Sequence, residues 1–312
     1  MLPAHPCGIQ TLDRLLQAGW PADTGHGLMS EMRLFLPALA QDGAARDFLI
    51  RELAEDRRGV MARLAFLRGA MRDVALHGDL ILSDIDAFMA RSETFSLFDY
   101  AQASGTTPAH LAATRPWVDY LATLTRTEAP FLLPLLPPLD GALLLEPGGN
   151  DGSFARALHA APAGAGIARH VVMDLPAVCA IGRDGAVAGW PEFAAGDMRA
   201  PDWRGQADLA PDVVLFKSVL HDWPEDDIRA ILQNALSALG KGGRIVIAER
   251  DRFDGMTGGT AMDYANLVFA PFYRGPEIYA RLLRALSPGI EISLTGTVID
   301  MRWFVMVARV AA

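Results

Sequence analysis

The sequence predicts an α/β protein in two parts: a mostly helical, winged-helix-like segment over residues 1–125 and a mostly parallel, helix-covered sheet over residues 126–312. Three observations carry this. From about residue 10 to residue 130, apolar residues recur at three- and four-residue spacings, the period of a helix with one buried face. A proline-punctuated stretch, "FLLPLLPPLDG", then interrupts the chain and marks the boundary. Beyond it, short runs rich in Val, Ile and Leu alternate with helical patterns, as strands buried on both faces of a parallel sheet require. At 312 residues the chain is long enough for two cores.

In chain order, "SEMRLFLPALAQ" and "ARDFLIRELAED" read as helices, and "RRGVMARLAFLRGAM" continues the pattern through Val60, Leu64, Leu67 and Met71. "DVAL" and "DLILS", joined by His77-Gly78, predict a short hairpin; with the preceding helices this is the pattern of a winged helix. "TRPWVDYLATLTRTEAP" predicts a helix running into the connector. Strands follow at 142–146, 170–174, 193–197, 212–217 and 244–249, with helices at "ARALHA" and "EDDIRAILQNALSALG". "IEISLTGTV" and "WFVMVARV" predict a closing antiparallel pair.

Composition narrows the function. A net charge of -9 is unfavourable for a nucleic-acid binder, because phosphate backbones reward basic patches. Two cysteines, Cys7 and Cys179, argue against a disulfide scaffold or a zinc site and fit a reducing compartment. The acids are scattered over strand ends and no His/Cys cluster exists, so no metal is expected. "MLPAHPCGIQ" has no signal-peptide pattern and no run of 18 apolar residues occurs, so a cytoplasmic protein without a membrane span is expected.

In such sheets ligands lie beyond the carboxyl ends of the strands. Here the successive strands end at Glu146, Asp174, Asp197, Lys217 and Glu249, and "SVLHDW" follows Lys217, so acids, a lysine and His221 converge on one rim. Lysine occurs only twice in the chain, at Lys217 and Lys241. The loop "EPGGNDGSF" places glycines at 148, 149 and 152, which is not the Gly-x-Gly-x-x-Gly of a dinucleotide site. It also lacks the Gly-Lys-Ser/Thr ending of a phosphate loop, and Glu146 would repel a phosphate.

The loop and the segments "VVMDLPAVCA", "GDM", "FKSVLHDWPEDD" and "GGRIVIAER" follow one another in an order that resembles the plant-type, S-adenosylmethionine-dependent small-molecule O-methyltransferases. The most specific element is Lys217-Ser218-Val219-Leu220-His221-Asp222-Trp223. The resemblance covers about residues 140–310. It implies a Rossmann-like class I methyltransferase domain, with a seven-stranded, mostly parallel sheet, and an N-terminal helical dimerisation domain. It further implies that Glu146, Gly148, Gly149 and Gly152 face the methionine part of the cofactor, and that Asp174 and Leu175 face the ribose. Asp197 and Met198 would meet the adenine, and Lys217 would lie near the cofactor. Asp174 and Asp197 alone would also read as helix N-caps.

His221 is the expected general base, with Glu249 holding its tautomer. The alternative for His221 is a polar residue preceding the helix that starts at Pro224-Glu225-Asp226-Asp227. Asp222, Trp223, Met262, Asn266 and Phe269 are expected on the side of a small hydroxylated acceptor, although core packing explains Met262 and Phe269 as well. Two residues depart from the family: Asn150 stands where a glycine is usual, and Tyr273 lies near the position of a second acid beside the histidine. They leave open a relative that uses the cofactor without methylating, in a hydroxylation, decarboxylation or cyclisation. A DNA-binding regulator built on the winged helix is a third reading. The expected product is S-adenosylhomocysteine, and the expected assembly a homodimer.

Overall fold

A computed structural model describes residues 57–98, 100–186, 190–240, 242–252, 272–299 and 302–310. They fall into two compact units, 57–98 in the first and the remainder in the second. The expected helices before residue 57 and the expected helix at 261–273, with Met262, Asn266 and Phe269, lie outside the described residues, except for its last two, Phe272 and Tyr273.

The first unit holds α1 (Arg57–His77), α2 (Leu80–Ser83) and α3 (Ile85–Arg91). Phe95 anchors it, with its ring 5.7 Å from Phe66 and 5.5 Å from Phe88. The hairpin expected around His77-Gly78 is not formed; "DVAL" is the end of α1 and "LILS" is a helical turn. The reason is local. Gly78 donates to the Val74 carbonyl, Ile81 to Gly78 and Asp84 to Leu80, so the backbone is satisfied without a partner strand. Two four-residue strands would bury too little to compete. Asp73, inside the supposed strand, instead accepts from the Thr94 N–H at 2.7 Å and from the Ser92 hydroxyl, tying α1 to the segment after α3.

The second unit begins with a 3-10 turn at Tyr100–Ala103 and the long helix α4 (Pro108–Leu132), capped by Thr107. The expected strands then appear in order: β1 (Leu143–Pro147), β2 (Arg169–Asp174), β3 (Glu192–Ala195), β4 (Val213–Lys217) and β5 (Arg244–Arg250). The helices α5 (Ser153–Ala160), α6 (Pro176–Asp184), α7 (Trp203–Ala207), α8 (Glu225–Ala238) and α9 (Pro276–Leu286) intervene, and β6 (Glu291–Val298) and β7 (Arg302–Arg309) close the chain. The strand order is β3-β2-β1-β4-β5-β7-β6, with β1 to β5 parallel and β7 antiparallel to both neighbours. This is the expected seven-stranded, mostly parallel, Rossmann-like sheet.

Leu145, Val214, Phe216 and Ile247 are fully buried at the sheet centre, each contributing about 1.5–3 kcal/mol of transfer free energy. Their register, Leu145 on Val214 and Phe216 on Ile247, brings the carboxyl ends of β1, β4 and β5 to one edge. The strand order reverses between β1 and β4, which opens a crevice there.

Candidate active site

The glycine loop after β1 is shaped by backbone angles that few side chains adopt. Gly148 has φ 70° and donates to the Met173 carbonyl at 2.7 Å. A Cβ there would lie 2.7 Å from Val219 Cγ2 and 3.1 Å from Met198 Cε, so the bare backbone is needed for β1 and the β4 loop to approach. Gly152, at φ 78°, precedes α5 and is crowded by Phe193 and Pro191. Between them Asn150 holds φ 54°, a conformation asparagine accepts more readily than most residues. Glu146 is buried beneath Gly149, with its carboxylate 2.9 Å from His170 Nε2 on β2, a partner that the sequence did not announce.

At the end of β2, Asp174 is buried and accepts from the N–H groups of Leu175 at 2.7 Å and Asn150 at 2.9 Å. Burial pushes its carboxyl up to about 6, although both N–H groups favour the ionised form. After β3, Met198 packs toward Gly148 and Val219, and its carbonyl is held by Trp203 Nε1 and Asn234 Nδ2. Asp197 is half-exposed and engaged by Arg199, which donates from its backbone and guanidinium. That hydrogen bonding holds the Asp197 carboxyl below its ordinary range.

Lys217, at the end of β4, reaches α4: its Nζ contacts Thr125 Oγ1 at 3.2 Å and pairs with Glu128, which also pairs with Arg250 from β5. Burial would raise the Glu128 carboxyl, but the two cations hold it down at about 2. Arg250 stacks over Trp303, 4.3 Å from the ring centroid. The sequence placed Lys217 near the cofactor; its charge here is spent on α4, at the same rim.

Behind Lys217 the chain turns through Ser218, at φ 54°, into a 3-10 turn, Leu220–Asp222, that presents His221. His221 Nδ1 lies 2.7 Å from Glu249 Oε2, and Glu249 Oε1 accepts from Val219 N and Leu220 N at 2.8 Å each. The other ring nitrogen, Nε2, lies 3.2 Å from Asp222 Oδ1. Burial alone would lower the imidazole; the Glu249 and Asp222 carboxylates outweigh it and hold it above its ordinary value. Burial also raises Asp222. Tyr100 donates its hydroxyl to Asp222 Oδ2 at 2.7 Å, and its ring lies 5.9 Å from Trp223 and 5.8 Å from Trp117. Tyr273 stands edge-on to His221 with centroids 5.2 Å apart.

His221, Glu249, Asp222, Trp223, Asp174, Met198 and the glycine loop therefore share the carboxyl edge of the sheet. Tyr100, Trp117, Thr125, Glu128 and Arg250 belong to the same surroundings and were missed. The one available signal was Glu128, a lone acid in the apolar run "TEAPFLL". Among the described residues no helix is long and apolar enough to cross a membrane, and no group of three or more His, Cys, Asp or Glu side chains could hold a metal ion.

Residues 140–268 match the family model described as an O-methyltransferase domain. Cephaeline 6'-O-methyltransferase of Carapichea ipecacuanha is 34% identical over 112 residues, 34% of this chain and 28% of the relative. The 3-hydroxy-5-methyl-1-naphthoate 3-O-methyltransferase of Streptomyces sahachiroi is 43% identical over 82 residues, 25% of this chain and 23% of the relative. The chain thus spans about a quarter of the length of these two curated relatives. Human N-acetylserotonin methyltransferase in complex with SAM shares the fold, with a TM-score of 0.57 and 16% identity over 78% of this chain and 70% of that one.

Proposed function

We propose, from the premise that residues 140–268 belong to the O-methyltransferase domain family, that this protein is an S-adenosylmethionine-dependent O-methyltransferase. Its acceptor is a small, flat, hydroxylated molecule, and His221 is its general base. The observation that carries the reading is the Asp222–His221–Glu249 alignment at the ends of β4 and β5, beside the glycine loop.

The residues fit the cofactor. Asp174 offers a buried carboxylate at the end of β2, where ribose hydroxyls can donate to it. The backbone at Gly148 is bare, and Met198 flanks it with an apolar wall suited to a purine ring. Among the described residues, Asn150 Oδ1 and Ser218 Oγ are buried polar atoms without a partner, as expected where a polar ligand completes the site. Leu175, Gly149, Gly152 and Glu146 shape the same edge, and Asp197 and Lys217 flank it. When bound, the cofactor supplies a methyl group on a sulfonium and leaves as S-adenosylhomocysteine.

The chain's own work is to move one proton. Glu249, anchored by two backbone N–H groups, accepts from His221 Nδ1–H and so leaves Nε2 as the basic atom. An acceptor hydroxyl that reaches Nε2 gives up its proton there as its oxygen bonds to the methyl carbon. Such help is typically worth ~10²–10⁴ in rate. Trp223 and Tyr100 provide flat faces beside Asp222 for an aromatic acceptor.

His221→Ala is expected to abolish methyl transfer, read as a 14-dalton gain across a panel of phenols, while S-adenosylhomocysteine still binds in calorimetry. Turnover equal to wild type would sink the base assignment. A second reading, the cofactor used without methylation, is favoured by one observation: Nε2 already has Asp222 at 3.2 Å. A wild-type chain that binds the cofactor yet methylates none of the phenols would support it. A homodimer and a cytoplasmic location complete the proposal; light scattering tests the first.

A further inference from the structure

Two buried polar atoms without partners flank a single hydrogen bond. Asn150, in the glycine loop, donates its Nδ2 to the Val118 carbonyl of α4 at 3.1 Å, and its backbone N–H to Asp174. That Nδ2 bond fixes the orientation of the amide, because the flipped rotamer would set two carbonyl oxygens against each other. Oδ1 is therefore the atom left over, and it is buried without a donor among the described residues. Trp117 precedes Val118, and its indole Nε1–H is likewise buried without an acceptor. A desolvated acceptor and a desolvated donor on the two sides of one contact mark a place for a polar ligand rather than for core packing.

Resting on the cofactor reading above, we propose that Asn150 is itself a cofactor-binding residue: its Oδ1 accepts a hydrogen bond from S-adenosylmethionine, from the α-ammonium or a ribose hydroxyl. A glycine would satisfy the backbone at φ 54° but would leave this position without an acceptor. The side chain thus does two jobs, with Nδ2 fastening the loop to α4 and Oδ1 facing the ligand. The carboxylate of Asp174, held by the same residue's N–H, lies alongside.

The test is calorimetry on the full chain with S-adenosylhomocysteine and with methylthioadenosine, which keeps the ribose and lacks the α-ammonium. Asn150→Gly, which the backbone accommodates, is expected to weaken S-adenosylhomocysteine about tenfold. Asn150→Asp keeps an acceptor oxygen but sets its other oxygen against the Val118 carbonyl, so its thermal midpoint is expected to fall while it still binds S-adenosylhomocysteine more tightly than Asn150→Gly does. Loss confined to S-adenosylhomocysteine identifies the ammonium as donor, and equal loss for both ligands identifies a ribose hydroxyl. Asn150→Gly binding like wild type overturns the inference. So does Asn150→Asp binding as weakly as Asn150→Gly at an unchanged thermal midpoint, since the acceptor oxygen would then contribute nothing. A wild-type chain that binds neither ligand overturns the cofactor reading itself, and this inference with it.

Discussion

If Asp174 holds the ribose as proposed, the cofactor's affinity should fall in mild acid, because protonation takes acceptor capacity from a carboxylate that already accepts from the Leu175 and Asn150 N–H groups. Burial lifts this carboxyl from 3.8 to about 6, against the pull of two backbone N–H groups. Near pH 7.5 the group is almost wholly ionised, whereas near pH 5 about one molecule in ten is. If only the ionised form binds, the apparent Kd scales as one plus ten to the power of pKa minus pH, which gives a loss of roughly tenfold over that interval. Calorimetry with S-adenosylhomocysteine across this range reads the loss directly. Runs in buffers of different ionisation heat should show a proton released on binding near pH 5 and none near pH 7.5. Asp174→Asn should bind weakly and without this dependence. A wild-type Kd that stays flat from pH 7.5 to 5 would refute both the raised carboxyl and its place in the site.

Four further outcomes follow from the geometry. Glu249→Gln puts an amide where three N–H donors converge, so kcat should drop about 100-fold or more while the Kd for S-adenosylhomocysteine stays within about twofold. In the wild type the base must be neutral, so kcat should rise with pH through a value above the usual ~6.5 of histidine; a plateau already reached below that value would exclude His221. Glu128→Gln should destabilise the fold by about 3 kcal/mol at neutral pH, since the folded carboxyl is held at about 2 against an ordinary 4.5. The sign is that of a depressed acid: the contribution is fully present above ~4.5 and lost as pH falls toward ~2, so urea midpoints of variant and wild type should converge on acidification. Gly148→Ala must fit a Cβ 2.7 Å from Val219 at a positive φ, and S-adenosylhomocysteine binding should fall by at least about tenfold; unchanged affinity would place the cofactor elsewhere.

The sheet was legible because its strands are continuous apolar runs bounded by charged residues, and a parallel strand buried on both faces has no other way to be written. Its rim was legible for the same reason: a charge at the end of such a run, as at Asp174 or Lys217, sits where the sheet stops. "DVAL" and "DLILS" misled because four residues of mixed polarity fit a strand as well as a helix turn. The local backbone bonds of Gly78, Ile81 and Asp84 favour the helical turn, and Asp73 adds a tie to Ser92 and Thr94 about twenty residues on. Glu128 and Tyr100 were out of reach because their contacts, Lys217 with Arg250 and Asp222, lie about ninety to 120 residues away and follow no local period.

Tyr273 shows why comparison by position falls short at the site itself. A tyrosine near the place of an expected acid suggests a base deprived of one negative charge. In space the Tyr273 and His221 rings pack in a T shape, and the carboxylate at Nε2 belongs to Asp222, the very next residue. The 3-10 turn at Leu220–Asp222 folds that neighbour back onto the imidazole, while Tyr100 holds its other oxygen. The histidine therefore has a carboxylate near each nitrogen, with Tyr273 beside the ring, and its pKa rises despite burial. A base flanked in this way retains its basicity only while Asp222 can yield Nε2 to the acceptor. Under the proposed base role, the Tyr100–Asp222 hydrogen bond holds the carboxylate that must make way for the acceptor.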